Sequence, residues 1–233
     1  MELNVRLIFV ETVIIHIFLL LGARSMARSK INDEKGKLKE YRARRNFTVT
    51  DEPSGENVGK SGKESIFVVQ RHKSRSEHYD FRLEIDGVLK SWAIPKGPSL
   101  DPSKKRLAVP TEDHPLEYAQ FEGVIPEGEY GAGPVMVWDI GTYLNIKRDK
   151  KDKLQSIEKS YEDGRIEIYL EGEKLYGDFA LIRTPRTEGE KNMWLFIKIK
   201  DEYASSTCDL VAKKTKSALT GKTMSQIQQE AKK

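Results

Sequence analysis

Two histidines, an aspartate and three arginines crowd into one short stretch, Arg71-His-Lys-Ser-Arg-Ser-Glu-His-Tyr-Asp-Phe-Arg-Leu-Glu-Ile85. From His78 onward the pattern alternates, so Tyr79, Phe81, Leu83 and Ile85 share one face of a strand while His78, Asp80, Arg82 and Glu84 share the other. The apolar set must face a core. Imidazole, carboxylate and guanidinium are then displayed together at about 7 Å intervals. His72, ending the preceding strand, reaches the same cluster across the short connection from Lys73 to Glu77. Two neutral imidazoles and one carboxylate form a donor set for a divalent ion such as Mn²⁺ or Zn²⁺. Arg82, one alternation further on, would offer a bidentate donor to a phosphate held by that ion. The competing reading is a barrel exterior whose polar face meets water. Histidine scarcity argues against it: the chain has four, and once His16 near the N-terminus is set aside, two of those that remain flank this cluster.

The other remaining histidine, His114, stands in Thr111-Glu-Asp-His-Pro-Leu-Glu-Tyr118, where Pro115 stiffens the backbone. It is a candidate phosphate ligand or general acid, with an ordinary loop histidine as the alternative. The glycine-rich stretch from Gly123 to Gly133 lacks the Lys-Ser/Thr of a P-loop and does not open onto a helix, so it reads as turn chemistry. Tyr130 and Trp138 have flat faces for stacking on bases, with core packing as the competing use of each. No Ser-His-Asp elbow or dinucleotide fingerprint is present.

Positioning these residues falls to β-structure. Strands are expected over 65–72, 78–85, 88–94, 133–139, 165–170, 178–183 and 194–199, as short β-branched and aromatic runs broken by Gly and Pro. Asp86-Gly87 is a two-residue hairpin turn that sets Asp80 opposite Ala93 and Arg82 opposite Ser91. Seven or eight such strands favour a mainly β fold, a compact closed or nearly closed β-barrel with flanking short helices, because closure removes exposed edges. The barrel domain is placed at 64–204, behind a charged helical lead-in and loop at 26–63 and ahead of a polar C-terminal tail at 205–233. The Lys-rich stretch 147–159 is a surface excursion, a short helix or loop.

A chain of 233 residues with 38% hydrophobic and 33% charged side chains buries one ordinary core. A net charge of only +4 excludes a histone-like polycation, so nucleic-acid contact must come from local patches. The single Cys208 excludes an intramolecular disulfide framework or a multi-Cys zinc cluster and fits a reducing cytosol. The apolar run at 7–23 is interrupted by Glu11 and His16 and falls short of the ~20 residues that span a bilayer. Residues 1–25 are read as a doubtful leader or mis-assigned extension, with Met26 as the true start. An export signal and a membrane anchor are the competing readings.

The motifs Phe67-Val-Val-Gln-Arg-His72, His78-Tyr-Asp-Phe-Arg-Leu-Glu84, Trp92-Ala-Ile-Pro-Lys-Gly-Pro-Ser99, Glu112-Asp-His-Pro-Leu-Glu-Tyr118 and Phe121-Glu-Gly-Val-Ile-Pro-Glu-Gly-Glu-Tyr-Gly-Ala-Gly133 occur in an order and spacing that closely resemble the 3′-phosphoesterase domain of bacterial DNA ligase D. The resemblance covers roughly 41–204, with Leu219-Thr-Gly-Lys-Thr-Met224 similar to the family's trailing segment. It implies a β-barrel with a Mn²⁺ site on a concave face. It also implies removal of a 3′-terminal ribonucleoside and then of the 3′-phosphate, leaving a 3′-OH for ligation in end joining. By position, the resemblance makes His72, His78 and Asp80 the metal ligands and Arg82, His114 and Tyr118 contacts to the scissile phosphate. It makes Gln70, Ser91, Lys96, Arg106 and Glu112 supporting residues of the same pocket.

The family's first motif, usually Arg-Asp-Phe followed by Thr and Glu-Pro, stands here as Arg45-Asn46-Phe47, Thr50 and Glu52-Pro53. Asn46 thus replaces an acid. If that acid orients Arg45, the amide keeps one hydrogen bond but loses its charge, and an enzyme weakened by a modest factor is expected. The implied partners are DNA or RNA–DNA primer-template 3′ ends, with a separate ligase, polymerase or Ku-type end-binding protein, in a free-standing cytoplasmic protein with no membrane contact. Two other classes compete: a non-catalytic nucleic-acid-binding barrel, which would need stacking aromatics where the His-Asp cluster stands, and a membrane-associated protein using residues 7–23.

Overall fold

Alternating apolar residues build the first three strands of the computed structural model, which describes residues 36–56, 64–185 and 192–231. These are β1 (Ile66–Lys73), β2 (Glu77–Ile85) and β3 (Val88–Ile94), an antiparallel meander. Its second turn is made by Asp86 and Gly87, at φ 52° and 78°, the positive pair that a two-residue hairpin requires. Register follows: Asp80 pairs with Ala93 and Arg82 with Ser91.

The chain continues through β4 (Arg106–Pro110), β5 (Gly123–Ile125), β6 (Gly133–Asn145), β7 (Arg165–Gly172), β8 (Tyr176–Arg183) and β9 (Trp194–Lys198). Pairing runs β1-β2-β3-β4-β9-β8-β7-β6, and β6 returns to β1, which closes eight antiparallel strands into a barrel. The short β5 adds to the free half of β6. Helices are few and short among the described residues: α1 (Lys39–Ala43), a 3₁₀ turn (Leu116–Gln120), α2 (Ile157–Glu162), α3 (Leu210–Lys213) and α4 (Met224–Glu230). The excursion at 147–159 contains a bridge between Arg148 and Leu154 and then the start of α2, capped by the Ser156 hydroxyl.

Two apolar clusters share one wall. Inside the barrel, Phe67, Phe81, Trp92, Trp138, Phe179 and Phe196 pack together, and Leu210 and Ile227 join them from the segment read in sequence as a polar tail. Trp138 therefore packs in the core and is not open to bases. On the outer side of β1 and β6, Val68, Val135 and Val137 pack beneath Tyr41 of α1, Tyr118 and Ala119 of the 3₁₀ turn, and Ile125 of β5. The polar face of β2 thus lies under a second layer: Asp80, Arg82 and Glu84 are all buried. A face expected to be solvated if it carried no chemistry is enclosed, and what encloses it is the lead-in and the 111–131 segment.

Candidate active site

The two faces of β1 and β2 are set by their pleat. Phe67, Val69, Tyr79 and Phe81 point into the core, so Gln70, His72, Asp80 and Arg82 point outward, toward the covering layer. His72 pairs directly with His78, and Gln70 with Asp80. One nitrogen from each imidazole and one oxygen of Asp80 all lie within 4.8 Å of one another. His72 Nδ1 is 3.6 Å and His78 Nε2 3.7 Å from Asp80 Oδ2. The far nitrogens are spoken for: His72 Nε2 lies 2.7 Å from the Gly131 carbonyl and His78 Nδ1 2.9 Å from the Ser76 carbonyl. Each must be the N–H that donates, which leaves Nδ1 of His72 and Nε2 of His78 as lone pairs turned toward Asp80. Two oriented neutral imidazoles and a carboxylate fit a divalent transition ion. Burial alone would raise the Asp80 carboxyl, but the positive charge beside it, the Arg82 guanidinium foremost, outweighs it and holds it at about 2. It is therefore ionised, as a ligand must be.

Beside this trio stand two buried guanidiniums. Arg82 donates from Nε to Gln70 Oε1 (2.7 Å), from its Nη1 to Ser91 Oγ (2.9 Å) and from its Nη2 to Asp80 (3.3 Å), while His114 Nδ1, 2.9 Å from that Nη1, donates to the Glu112 carbonyl (2.8 Å). Gln70 is itself fixed by donating to the carbonyls of Tyr118 and Phe121. Arg45 donates to Glu52 (2.9 Å), to the Tyr41 carbonyl and Glu112 (3.0 and 3.1 Å), and from its Nη2 toward His114 Nε2 (3.3 Å). A guanidinium has five N–H groups, so each arginine keeps at least one to offer an incoming acceptor. His114 lies between them. Burial first, then the charges of Arg82 and Arg45, hold its imidazole well below the ordinary histidine value, so it is neutral in the free protein. The Tyr118 hydroxyl donates to Glu52, and its ring lies against Arg82, 4.9 Å from ring centre to guanidinium carbon.

These groups line a cavity of about 860 Å³ that includes His72, His78, Asp80, Arg82, Arg45, Glu112, His114 and Tyr118. Glu52, Gln70 and Ser91 stand directly behind it as hydrogen-bond partners of Arg45, Tyr118 and Arg82. Three expected residues lie elsewhere. Lys96 is exposed after β3 and does not line the cavity. Arg106 pairs with Phe196, whose side chain is in the barrel core, so it shares the opposite face of the wall. Asn46 is exposed, and its Oδ1 accepts from the backbone and hydroxyl of Thr48 (3.2 and 2.7 Å). The acids that orient Arg45 are Glu52 and Glu112, which corrects the role expected of position 46.

Two further arginines line the cavity without a signal in the sequence pattern: Arg44, which bonds Glu112 and the Tyr130 hydroxyl, and Arg75 at the rim. Nothing in the alternation of β1 and β2 points to them, since both sit in connections. Among the described residues no helix is long and apolar enough to cross a membrane, and the stretch at 7–23 lies outside them.

The profile of the DNA Ligase D 3'-phosphoesterase domain matches residues 70–183. The chain is 46% identical over 190 residues to a multifunctional non-homologous end joining protein LigD of Pseudomonas aeruginosa, a match covering 80% of this chain and 22% of that protein. It is 45% identical over 166 residues to the LigD of Mycolicibacterium smegmatis, covering 71% and 21%. To the non-homologous end joining DNA repair protein LigD of Mycobacterium tuberculosis it is 44% identical over 169 residues, covering 71% and 20%. The chain thus spans about a fifth of the length of these relatives. The His-His-Asp trio and Arg82 lie on β1 and β2 within the matched residues, and the chain belongs to the DNA ligase D 3′-phosphoesterase domain family.

Proposed function

We propose that the protein is a metal-dependent phosphoesterase that heals DNA 3′ ends, removing a 3′-terminal ribonucleoside and then the remaining 3′-phosphate to leave a 3′-OH. Family membership implies a phosphoesterase-type hydrolase and a role in non-homologous end joining. One observation carries the finer reading. Three metal donors and two guanidiniums, each with an uncommitted N–H, converge on a single cavity.

When bound, a divalent ion at His72, His78 and Asp80 supplies Lewis-acid charge to a phosphate oxygen, and Mn²⁺ is our assignment among the divalent transition ions the donors accept. Arg82 and Arg45 hold the phosphate through their spare N–H groups and oppose the charge that develops on it in the transition state. Glu52 and Glu112 keep Arg45 from swinging onto the substrate in another geometry. His114 is neutral before binding. A phosphate between the two arginines offsets their charge, raises the imidazole and lets it give a proton to the leaving oxygen. The substrate is a DNA or RNA–DNA primer-template end, and the 3′-OH product suits a ligase, polymerase or Ku-type end-binding protein acting alongside. The setting is cytoplasmic, in keeping with one cysteine and no disulfide framework.

The test is a 5′-labelled primer-template ending in one ribonucleotide, incubated with and without Mn²⁺. Stepwise conversion to a 3′-phosphate and then a 3′-OH, only with the ion, is expected. A protein that binds the primer but leaves it intact with Mn²⁺, Co²⁺ or Zn²⁺ would be the nucleic-acid-binding barrel instead.

A further inference from the structure

Tyr130 is an aromatic ring at the mouth of the cavity that serves no core. It is 49% exposed, in contrast to Tyr118 on the same cavity, which is buried. An exposed ring beside a polar cavity contributes little to folding, yet this one is held firmly. Arg44 donates to its hydroxyl at 2.7 Å, with the guanidinium carbon 4.8 Å from the ring centre, and Arg44 is braced in turn by Glu40 and Glu112. On the main chain, Tyr130 lies within a turn whose ends are tied by the bonds Glu129 N–H to Pro126 and Ala132 N–H to Glu129.

The ring is also registered to the metal site. The next residue, Gly131, adopts φ +80° and turns its carbonyl onto His72 Nε2. A flat, immobilised, half-exposed face beside a phosphate-sized site is what a nucleobase stacks upon, at small entropic cost because the ring is already fixed.

We infer that Tyr130, held by Arg44, is the platform on which the base of the 3′-terminal nucleotide stacks while its phosphate lies between Arg82 and Arg45. This rests on the end-healing reading and adds a binding residue that sets which ends are accepted: a terminal nucleotide with a base is held, and one without a base is not. Ring and base meet through π faces, so purines and pyrimidines are both taken, in order of stacking strength.

The probe is a primer-template whose 3′-terminal nucleotide is 2-aminopurine bearing a 3′-phosphate, titrated with the full chain in excess chelator so that nothing turns over. The 2-aminopurine emission should change on binding. Tyr130→Ala should abolish that change and weaken binding roughly tenfold, whereas Tyr130→Trp should keep both. An otherwise identical duplex with an abasic 3′ end should bind wild type and Tyr130→Ala equally. Calorimetric Mn²⁺ affinity should be the same for wild type and Tyr130→Ala, which shows that Gly131 still orients His72. Unchanged emission with wild type, or wild-type affinity of Tyr130→Ala for the 2-aminopurine end, overturns the platform.

Restoring Mn²⁺ separates the two readings. Hydrolysis without the emission change leaves the phosphoesterase standing and removes the platform. An emission change without hydrolysis does the reverse.

Discussion

Asp80 on β2 and Asp139 on β6 are both buried carboxylates of the same barrel wall, and their surroundings differ in kind. Asp139 is fully buried and satisfied by main chain alone: the N–H groups of Ile140, Glu173, Lys174 and Leu175 donate to it at 2.8–3.1 Å, which shapes the β7–β8 turn. Burial pushes its carboxyl up to about 6 against the pull of those donors. Asp80 has side-chain neighbours instead, Arg82, His72 and His78, and is held at about 2. A buried charge that serves the scaffold is closed off by backbone. The one proposed to serve chemistry sits among side chains whose capacity is left partly unspent and turned toward a cavity.

Three substitutions bear on that contrast. Asp80→Asn should cost the largest amount, more than the ~10–100-fold attributed to loss of a group that merely orients a ligand. Its urea-unfolding midpoint should stay near wild type, and calorimetry should show Mn²⁺ affinity falling with turnover. An active, folded Asp80→Asn protein would remove this residue from the ligand set.

Asp139→Asn should act on stability and not on rate. The amide nitrogen replaces an acceptor opposite a backbone N–H, which costs about 1–3 kcal/mol in unfolding free energy, with kcat within about twofold. The acid binds its proton more tightly folded than unfolded, so the stability tied to that proton is full below its ordinary value of 3.8. It is lost as pH rises through about 6. Unfolding curves across that window should slope for wild type and flatten for Asp139→Asn, and equal slopes would show that another group titrates there.

The smallest effect is expected at Asn46. Its Oδ1 serves only Thr48, a bond that an aspartate makes equally well, so Asn46→Asp should alter turnover on 3′-ribonucleotide and 3′-phosphate primers by less than about twofold. A several-fold gain would mean that an acid at this position reaches the cavity during the reaction.

Much of the metal half of the site is legible in the sequence because period-two alternation over His78–Ile85 fixes which side chains share a face, and Asp86-Gly87 fixes the register. The long strands were readable for the same reason. β4 and β5 were not: Arg106–Pro110 ends on proline after a polar loop, and Gly123–Ile125 is three residues among glycines, too short for a period to show. The tautomers of His72 and His78 depend on carbonyls at Gly131 and Ser76, and the grip on Arg45 depends on Glu112. Two of those three contacts join segments far apart in the chain, which local pattern does not reach. Asn46 is the complementary case: adjacency to Arg45 in sequence suggests contact, while the helix α1 and the turn after it send the two side chains apart.

Closure of the barrel through β1 and β6 also orders its assembly. Residues 66–72 must find 135–142, a non-local pairing that bears a large loop-closure entropy and belongs to the slow class of all-β folding. The proposed ligands His72, His78 and Asp80, by contrast, lie on a single hairpin and come together with it. Arg45 and His114 reach the site only after the covering segments have docked on the closed wall. On the proposed function, the ion's three donors are therefore brought together by a fast local event, and the phosphate site by the last global one. In refolding, Mn²⁺ binding should be recovered ahead of enzymatic competence.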